Sequence, residues 1–125
     1  KLTVQQVLHR GELVKEIRVP KAKGENHYDK RRVRDAIDFA IVSLASDMKT
    51  ENGVIQEARL VMGGVAPVPY ELPEVEAYLI GKEPTPETAT QAGGIAMKNA
   101  FAMSKNEYKI FMAKDVIYNS IMRLK

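Results

Sequence analysis

An Asn-Gly pair at positions 52 and 53 constrains the fold of this 125-residue chain more than any other local feature. Both residues tolerate positive φ angles, which a two-residue hairpin turn requires, so Asn-Gly between apolar segments is a strong hairpin signal. Residues 37–48 are almost continuously apolar, which predicts a strand covered on both faces for part of its length. Residues 54–62 are predicted to return antiparallel to residues 38–49.

Two shorter strands are predicted upstream of this hairpin, and a loop is predicted after it. Residues 12–20 alternate between apolar and charged side chains, as in a strand with one buried face. The alternating positions are Glu16, Ile17, Arg18 and Val19. Pro20 ends this strand, because proline cannot donate a hydrogen bond to a sheet. A second strand is expected near residues 27–30, and the Gly- and Pro-rich residues 63–69 are expected to form a crossover loop.

Helical patterns occupy the second half of the chain. Residues 74–80 predict a short amphipathic helix, with Gly81 placed as its stop. Thr85 is a suitable N-cap with Pro86 at the first helical position, so a second helix begins there and runs toward Ala100. A Gly-Gly pair inside this second helix weakens its helical propensity.

The third predicted helix closes the chain. Ser104 is expected to cap it, and Glu107 three residues later completes a capping-box pattern. An apolar stripe at helical spacing follows, formed by Ile110, Ala113, Ile117, Ile121 and Leu124. Strands followed by helices predict an α+β fold: a three- to four-stranded antiparallel sheet, then three helices packed on one face.

Composition indicates an ordinary globular protein with a single domain over residues 1–125. The chain is 45% hydrophobic and 28% charged, with a formal net charge of +3 and no cysteine. The lack of cysteine excludes a disulfide framework, a cysteine-ligated zinc site and a protein-ligated iron–sulfur cluster in this chain. It fits a reducing compartment, and the expected location is the cytoplasm. No apolar run approaches the ~18 residues of a membrane-spanning helix, so no span is expected.

A dense positive cluster precedes the long apolar strand. Lys30, Arg34 and Asp38 recur every four residues, and the apolar run begins directly after them. Beside a buried strand, such a cluster can bind an anion such as a phosphate, because charges there are less screened than on an open surface. The alternative is a solvated turn rich in Lys and Arg. Nucleic acid is the less favoured anion, because aromatic residues make up only 6% of the chain and tryptophan is absent.

The sequence contains no self-contained catalytic constellation. Gly63-Gly64 after a strand could let backbone amides approach a phosphate, but a tight strand exit is the favoured interpretation of the pair. Neither a GxGxxG dinucleotide motif nor a GxxxxGK phosphate loop occurs. His9 and His27 are too few and too far apart in sequence to indicate a metal site. His27 could touch a ligand, although a surface position is the simpler interpretation.

Four segments, in order and at similar spacing, resemble one known family. They are Gly11-Glu12-Leu13-Val14-Lys15-Glu16-Ile17-Arg18-Val19-Pro20, then Tyr28-x-Lys30-x₃-Arg34-x₃-Asp38-x-Ala40-x-Val42, then Ala58-Arg59-Leu60-Val61-Met62-Gly63-Gly64-Val65-Ala66-Pro67-Val68-Pro69, and Met103-Ser104-x₂-Glu107-Tyr108-Lys109. The set resembles the C-terminal domain of the FAD-binding subunit of molybdenum hydroxylases, the xanthine dehydrogenase and carbon monoxide dehydrogenase group. The resemblance covers essentially the whole chain.

This resemblance implies an oxidoreductase role that the chain would share with other domains. In such enzymes substrate is hydroxylated at a molybdopterin centre, and electrons pass through 2Fe–2S clusters to FAD and then to an acceptor, often NAD⁺. The resemblance places molybdopterin and the clusters on partner subunits. It implies three partners: an N-terminal FAD-binding domain, an iron–sulfur subunit and a molybdopterin subunit. The isolated domain is not expected to be catalytic.

The resemblance also implies which residues here contact FAD. The lysine of the Tyr-x-Lys-x₃-Arg pattern falls on Lys30, and a contact from the first strand falls on Val14. Arg34 and Asp38 are expected to form an ion pair that holds the turn. The family's Gly-rich phosphate loops are absent, so this chain is expected to fold alone but to bind FAD poorly or not at all. The alternative is a non-catalytic interaction module of the same fold without flavin, and nucleic-acid binding is a third hypothesis.

Overall fold

The computed structural model describes residues 7–35 and 37–124 of the chain. Within these ranges it contains a four-stranded antiparallel sheet followed by three helices, which confirms the predicted α+β fold. The elements in chain order are β1 (Glu25–Arg31), β2 (Val42–Glu51), β3 (Val54–Gly63), β4 (Tyr70–Glu71), α1 (Pro73–Leu79), α2 (Pro86–Ala96) and α3 (Tyr108–Met122). Each strand pairs with the next along the chain, so the sheet order is β1-β2-β3-β4.

The predicted hairpin is the centre of the sheet. Asn52 and Gly53 have φ angles of 51° and 77°, as a tight two-residue turn between β2 and β3 requires. β2 begins at Val42, however, and not at residue 37 as the apolar run predicted. Ile37 and Phe39 lie in the preceding loop with their side chains exposed. Apolar composition alone therefore set the start of this strand five residues too early.

The sheet has two different faces because side chains alternate along each strand. Leu44, Ser46 and Met48 of β2 point to the inner face, which the helices cover. Their partners on β3 are Met62, Leu60 and Ala58, which are also buried. The positions between them form the outer face, which carries no helix of the described chain.

The helices bury their apolar sides against the inner face. The core is formed by Val42, Leu44, Met48, Ile55, Ala58, Leu60, Met62, Leu72, Val75, Leu79, Ala89, Ala92, Ala113, Val116, Ile117, Ile121 and Leu124. Thr85 caps α2 as predicted, because its hydroxyl accepts a hydrogen bond from the Thr88 amide at 3.2 Å. α2 ends at Ala96 rather than near Ala100. Gly93 lets α2 approach α3, since a Cβ there would lie 3.3 Å from Cβ of Lys114.

The predicted strand at residues 12–20 is wrong for this chain. No strand or helix forms there, and every residue of the segment is exposed. The alternating pattern is real, but the sheet of the described residues contains only the four strands above. A strand needs a neighbour to satisfy its backbone, and the pattern does not specify one.

The predicted cap of the last helix is also wrong. α3 starts at Tyr108, and Glu107 occupies the cap position without a side-chain cap hydrogen bond. Lys105 has a φ angle of 47°, which breaks the geometry that would join Ser104 to the helix. Asn106 instead accepts a hydrogen bond from the Met103 amide at 2.9 Å.

Across the described part of the chain, no helix is both long enough and apolar enough to cross a membrane.

Candidate functional site

The outer face of the sheet carries the lysine that the sequence singled out. Pairing between strands aligns Lys30 of β1 with Ser43 of β2 and Gly63 of β3, and we call these three residues the Lys30 row. The neighbouring row on the same face aligns Tyr28 with Ala45. Residues paired across antiparallel strands project from the same face, so the two rows lie side by side.

Lys30 is exposed, and its ammonium is uncommitted. Among the residues that the structure describes, its side chain has no hydrogen-bond or ion-pair partner. Most other cations near it are paired. A lysine held by the backbone of a strand but free at its tip can donate hydrogen bonds to an anionic or polar ligand without first breaking an ion pair.

Small side chains surround this lysine on the sheet. Ser43 and Gly63 complete its row, and a Cβ at Gly63 would lie only 2.5 Å from Oγ of Ser43. Ala45 is the next small residue on the face, beside Tyr28, whose side chain is 64% exposed. The result is a low surface with one cation and one aromatic ring projecting from β1. Ser43 itself is only 6% exposed, so the open part of this face lies around Lys30, Tyr28 and Ala45.

The positive cluster of the sequence is divided between two sides of the molecule. Arg31 projects from the inner face of β1, and its Nη2 lies 2.8 Å from Oδ2 of Asp115 on α3. Arg34 lies in the β1–β2 loop, where its Nε is 3.1 Å from Oδ2 of Asp38. This confirms the predicted Arg34–Asp38 ion pair. These cations therefore do not form the single anion-binding cluster that the sequence suggested.

The Asp38 carboxylate is stabilised in its charged form. The side-chain hydrogen bond from Arg34 lowers the pKa of Asp38 below its ordinary value of 3.8, and the Phe39 amide lowers it further. Burial acts weakly in the opposite direction, and the positive charges of Lys30 and Arg32 add small lowering effects. The ion pair holds the loop that connects the Lys30 row to β2.

A polar seam on the inner side of β1 was missed by the sequence analysis. Asp29 is only 9% exposed, and its Oδ1 accepts a hydrogen bond from Arg123 of α3 at 2.9 Å. Beside it, the hydroxyls of Ser46 and Ser120 are 2.7 Å apart and buried. Oδ2 of Asp29 and Nε2 of His27 are buried and have no hydrogen-bond partner among the described residues. The alternation of side chains along β1 was the sequence signal for this seam, because it places Asp29 and Arg31 on the face that the helices cover.

Two other predicted candidates lie apart from the Lys30 row or have a structural explanation. Val14 is 61% exposed in the segment outside the sheet, and no strand pairing brings it to Lys30. Gly64 has a φ angle of 76°, and its carbonyl accepts a hydrogen bond from Nζ of Lys109 at 2.7 Å. A Cβ at Gly64 would lie 2.8 Å from the Ile41 carbonyl oxygen. The Gly63-Gly64 pair therefore forms a tight exit from β3, which was one of the two interpretations of this sequence.

The described residues offer no candidate metal centre, since no three His, Cys, Asp or Glu side chains gather there. An apolar groove of about 770 Å³ lies on the helical side, lined by residues such as Tyr70, Phe101, Met103 and Ile110. None of its lining residues belongs to the Lys30 row.

Comparison with known proteins links this arrangement to one family. Residues 26–124 match the family described as CO dehydrogenase flavoprotein C-terminal domain. A curated relative, the glyceraldehyde dehydrogenase medium chain of Sulfolobus acidocaldarius, is 39% identical over 75 residues, covering 60% of this chain and 27% of the relative. The chain thus spans about a quarter of that relative's length.

Solved structures share the fold. The quinoline 2-oxidoreductase from Pseudomonas putida 86 matches with a TM-score of 0.70 at 20% identity, over 78% of this chain and 35% of that one. A carbon monoxide dehydrogenase from Hydrogenophaga pseudoflava, lacking the Mo-pyranopterin moiety of its cofactor, matches with a TM-score of 0.68 at 26% identity. That match covers 75% of this chain and 34% of the other. The chain belongs to the CO dehydrogenase flavoprotein C-terminal domain family, the C-terminal domain of the FAD-binding subunit of molybdenum hydroxylases.

Proposed function

We propose that this domain covers the flavin of a molybdenum-hydroxylase FAD subunit and docks the partner subunits during electron transfer from 2Fe–2S clusters to FAD. The observation that carries this proposal is the uncommitted ammonium of Lys30 on an otherwise low surface. The partners are the N-terminal FAD-binding domain, the iron–sulfur subunit and the molybdopterin subunit, and the assembly works in the cytoplasm. Molybdopterin and the clusters belong to the partner subunits.

The residues of the outer face fit a flavin. When bound, FAD supplies an electron acceptor that passes its electrons onward. Lys30 would hold the polar or anionic edge of the cofactor through charge-assisted hydrogen bonds from its ammonium. Ala45 keeps the exposed part of this face low beside Lys30 and Tyr28, which leaves room for a planar group. Val14 contributes an apolar or backbone contact from its separate segment.

The chain by itself supplies too few contacts to bind FAD strongly. The pyrophosphate of a dinucleotide is usually held by helix N-termini and Gly-rich loops, and no such motif occurs here. Titration of the 125-residue chain with FAD should therefore show no submicromolar binding, as followed by flavin fluorescence. Tight one-to-one binding would contradict a covering role that depends on another domain.

Substitution of Lys30 in the assembled FAD subunit tests the cofactor contact. Lys30→Ala should lower the flavin bound per protein, or shift the flavin absorbance spectrum, because one cationic donor is lost. Lys49→Ala is the matched control. Lys49 projects from the same face of β2 as Ser43, six residues further along the strand, which is about 20 Å at 3.4 Å per residue. Its ammonium pairs with Glu51. Unchanged occupancy, spectrum and reduction in both variants would favour a docking module without a flavin contact.

A further inference from the structure

Residues 12–20 have the geometry of a β-strand without a sheet. From Glu12 to Ala22 the backbone forms no helix, turn or bend. Arg18 donates two hydrogen bonds to Oε1 of Glu16, at 2.9 and 2.6 Å. Side chains two residues apart share a face only when the backbone is extended, so this ion pair reports strand geometry at this point.

The backbone of this segment is exposed and is not paired with another strand of the described chain. Residues 13–22 have no backbone hydrogen bond to any of the described residues. A row of N–H and C=O groups that are not paired within the protein can pair with another strand. Leu13, Ile17 and Val19 project from one side of it, and Ile17 is 83% exposed. Lys15 lies on the same side, between Leu13 and Ile17, so the apolar part of this face is Ile17 and Val19, and no core of the described residues buries it.

The described sheet does not accept this segment. Its two edge strands are β1 and β4, and β4 has only two residues. β1 follows the segment closely in sequence, yet no pairing joins them. The family match begins at residue 26, so residues 12–20 lie outside the domain that the family describes. Nearly three-quarters of the curated relative also lies outside the match, since this chain covers 27% of it.

We infer that residues 12–20 are an edge strand contributed to a β-sheet of the flavin-binding region of the same subunit, with Ile17 and Val19 in that sheet's core and Leu13 and Lys15 at its margin. The inference rests on the proposed function for the identity of the partner. The strand crosses between the two domains and fastens the Lys30-bearing sheet to its neighbour. Val14 then projects from the opposite side of the added strand.

Amide hydrogen exchange tests this inference directly. In the 125-residue chain, amides 13–19 should exchange at nearly the unstructured rate, while those of β3 are protected. In the assembled FAD subunit the same amides should slow by at least ~100-fold, as expected for backbone groups inside a stable sheet. Fast exchange in a subunit that retains its FAD would overturn the strand and leave the proposed function intact.

Proline at Ile17 provides an independent readout. Ile17→Pro removes a backbone N–H that makes no hydrogen bond to the described residues of the isolated chain. The melting temperature of the 125-residue chain should therefore be unchanged. The same substitution in the FAD subunit should abolish protection of the segment and separate the two domains in limited proteolysis. Ile17→Val, which keeps an apolar β-branched side chain, should behave as the unsubstituted protein. An unaffected assembled Ile17→Pro subunit would contradict the inference.

The remaining outcomes are also distinguishable. Protection of the segment in the isolated chain together with a doubled mass in sedimentation would show self-pairing of two copies, and would overturn the proposed occupant. Protection in the assembled subunit without any bound FAD would support the strand while overturning the proposed function.

Discussion

The two faces of β1 make opposite use of their charges. On the inner face, Asp29 and Arg31 are paired with Arg123 and Asp115 of α3. On the outer face, Lys30 stands between them in sequence and has no partner within the described chain. Pairing uses charge to fix the position of the strand, whereas an unpaired cation remains available to a ligand. The inner contacts hold β1 so that Lys30 is presented from a fixed backbone.

The largest stability loss should follow from breaking the inner face at Arg123. Arg123→Met leaves the nearly buried Asp29 carboxylate without the one donor that the described residues give it, since its Oδ2 already lacks a partner there. We expect a loss of about 2 kcal/mol in the free energy of unfolding, below the value for a fully buried pair because Arg123 is half-exposed. Urea denaturation measures it. Arg18→Ala, on an exposed pair, should have almost no effect, and equal losses in both variants would remove the contrast.

The buried hydroxyl pair should give the second largest effect. Ser120→Ala leaves Oγ of Ser46 buried without its 2.7 Å partner, at a cost of about 1–2 kcal/mol. Ser46→Ala with Ser120→Ala removes both polar groups, so the double variant should be no less stable than the single one. Additive losses in a double-mutant cycle would show that the hydroxyls do not act as a pair.

Local patterns predicted the hairpin and much of the helical half of the fold. Asn52-Gly53 and Thr85-Pro86 encode their turn and cap within a few residues, so neighbouring sequence was sufficient. Asp29 and Arg123 are 94 residues apart, and nothing local in the sequence selects that partner. Ser104 fits a capping pattern that Lys105, with positive φ, does not allow to form.

The outer face was predictable only in part. The family resemblance indicated Lys30, but the pattern did not reveal that Arg31 turns to the helices. It also could not show that residues 12–20 join no strand of the described sheet, because periodicity records which face is apolar and not what covers it. The exposed apolar side chains at Ile37 and Phe39 reflect the same ambiguity.

The loop ion pair should show a smaller effect, visible mainly in its pH dependence. Because the Arg34 hydrogen bond lowers the pKa of Asp38 in the folded chain, this pair stabilises the fold above pH 3.8. That contribution is lost as the pH falls through the lowered folded-state value. Carboxyl NMR titration should find the pKa of Asp38 depressed, and Arg34→Ala should move it upward. A titration unaffected by Arg34→Ala would assign the shift to the Phe39 amide instead.

The smallest effect should come from Lys30 itself, and that is the sharpest test of the contrast between the faces. Lys30→Ala removes no hydrogen bond or ion pair of the described chain, and only a small attraction to the Asp38 carboxylate, so the free energy of unfolding of the 125-residue chain should change by less than about 0.3 kcal/mol. Arg31→Ala, one residue away on the other face, loses the pair with Asp115 and should cost about 0.5 kcal/mol. Replicate urea denaturations of both variants measure the difference. A greater loss from Lys30→Ala than from Arg31→Ala would mean that Lys30 supports the fold, because an ammonium kept for a ligand has no hydrogen bond or ion pair to lose.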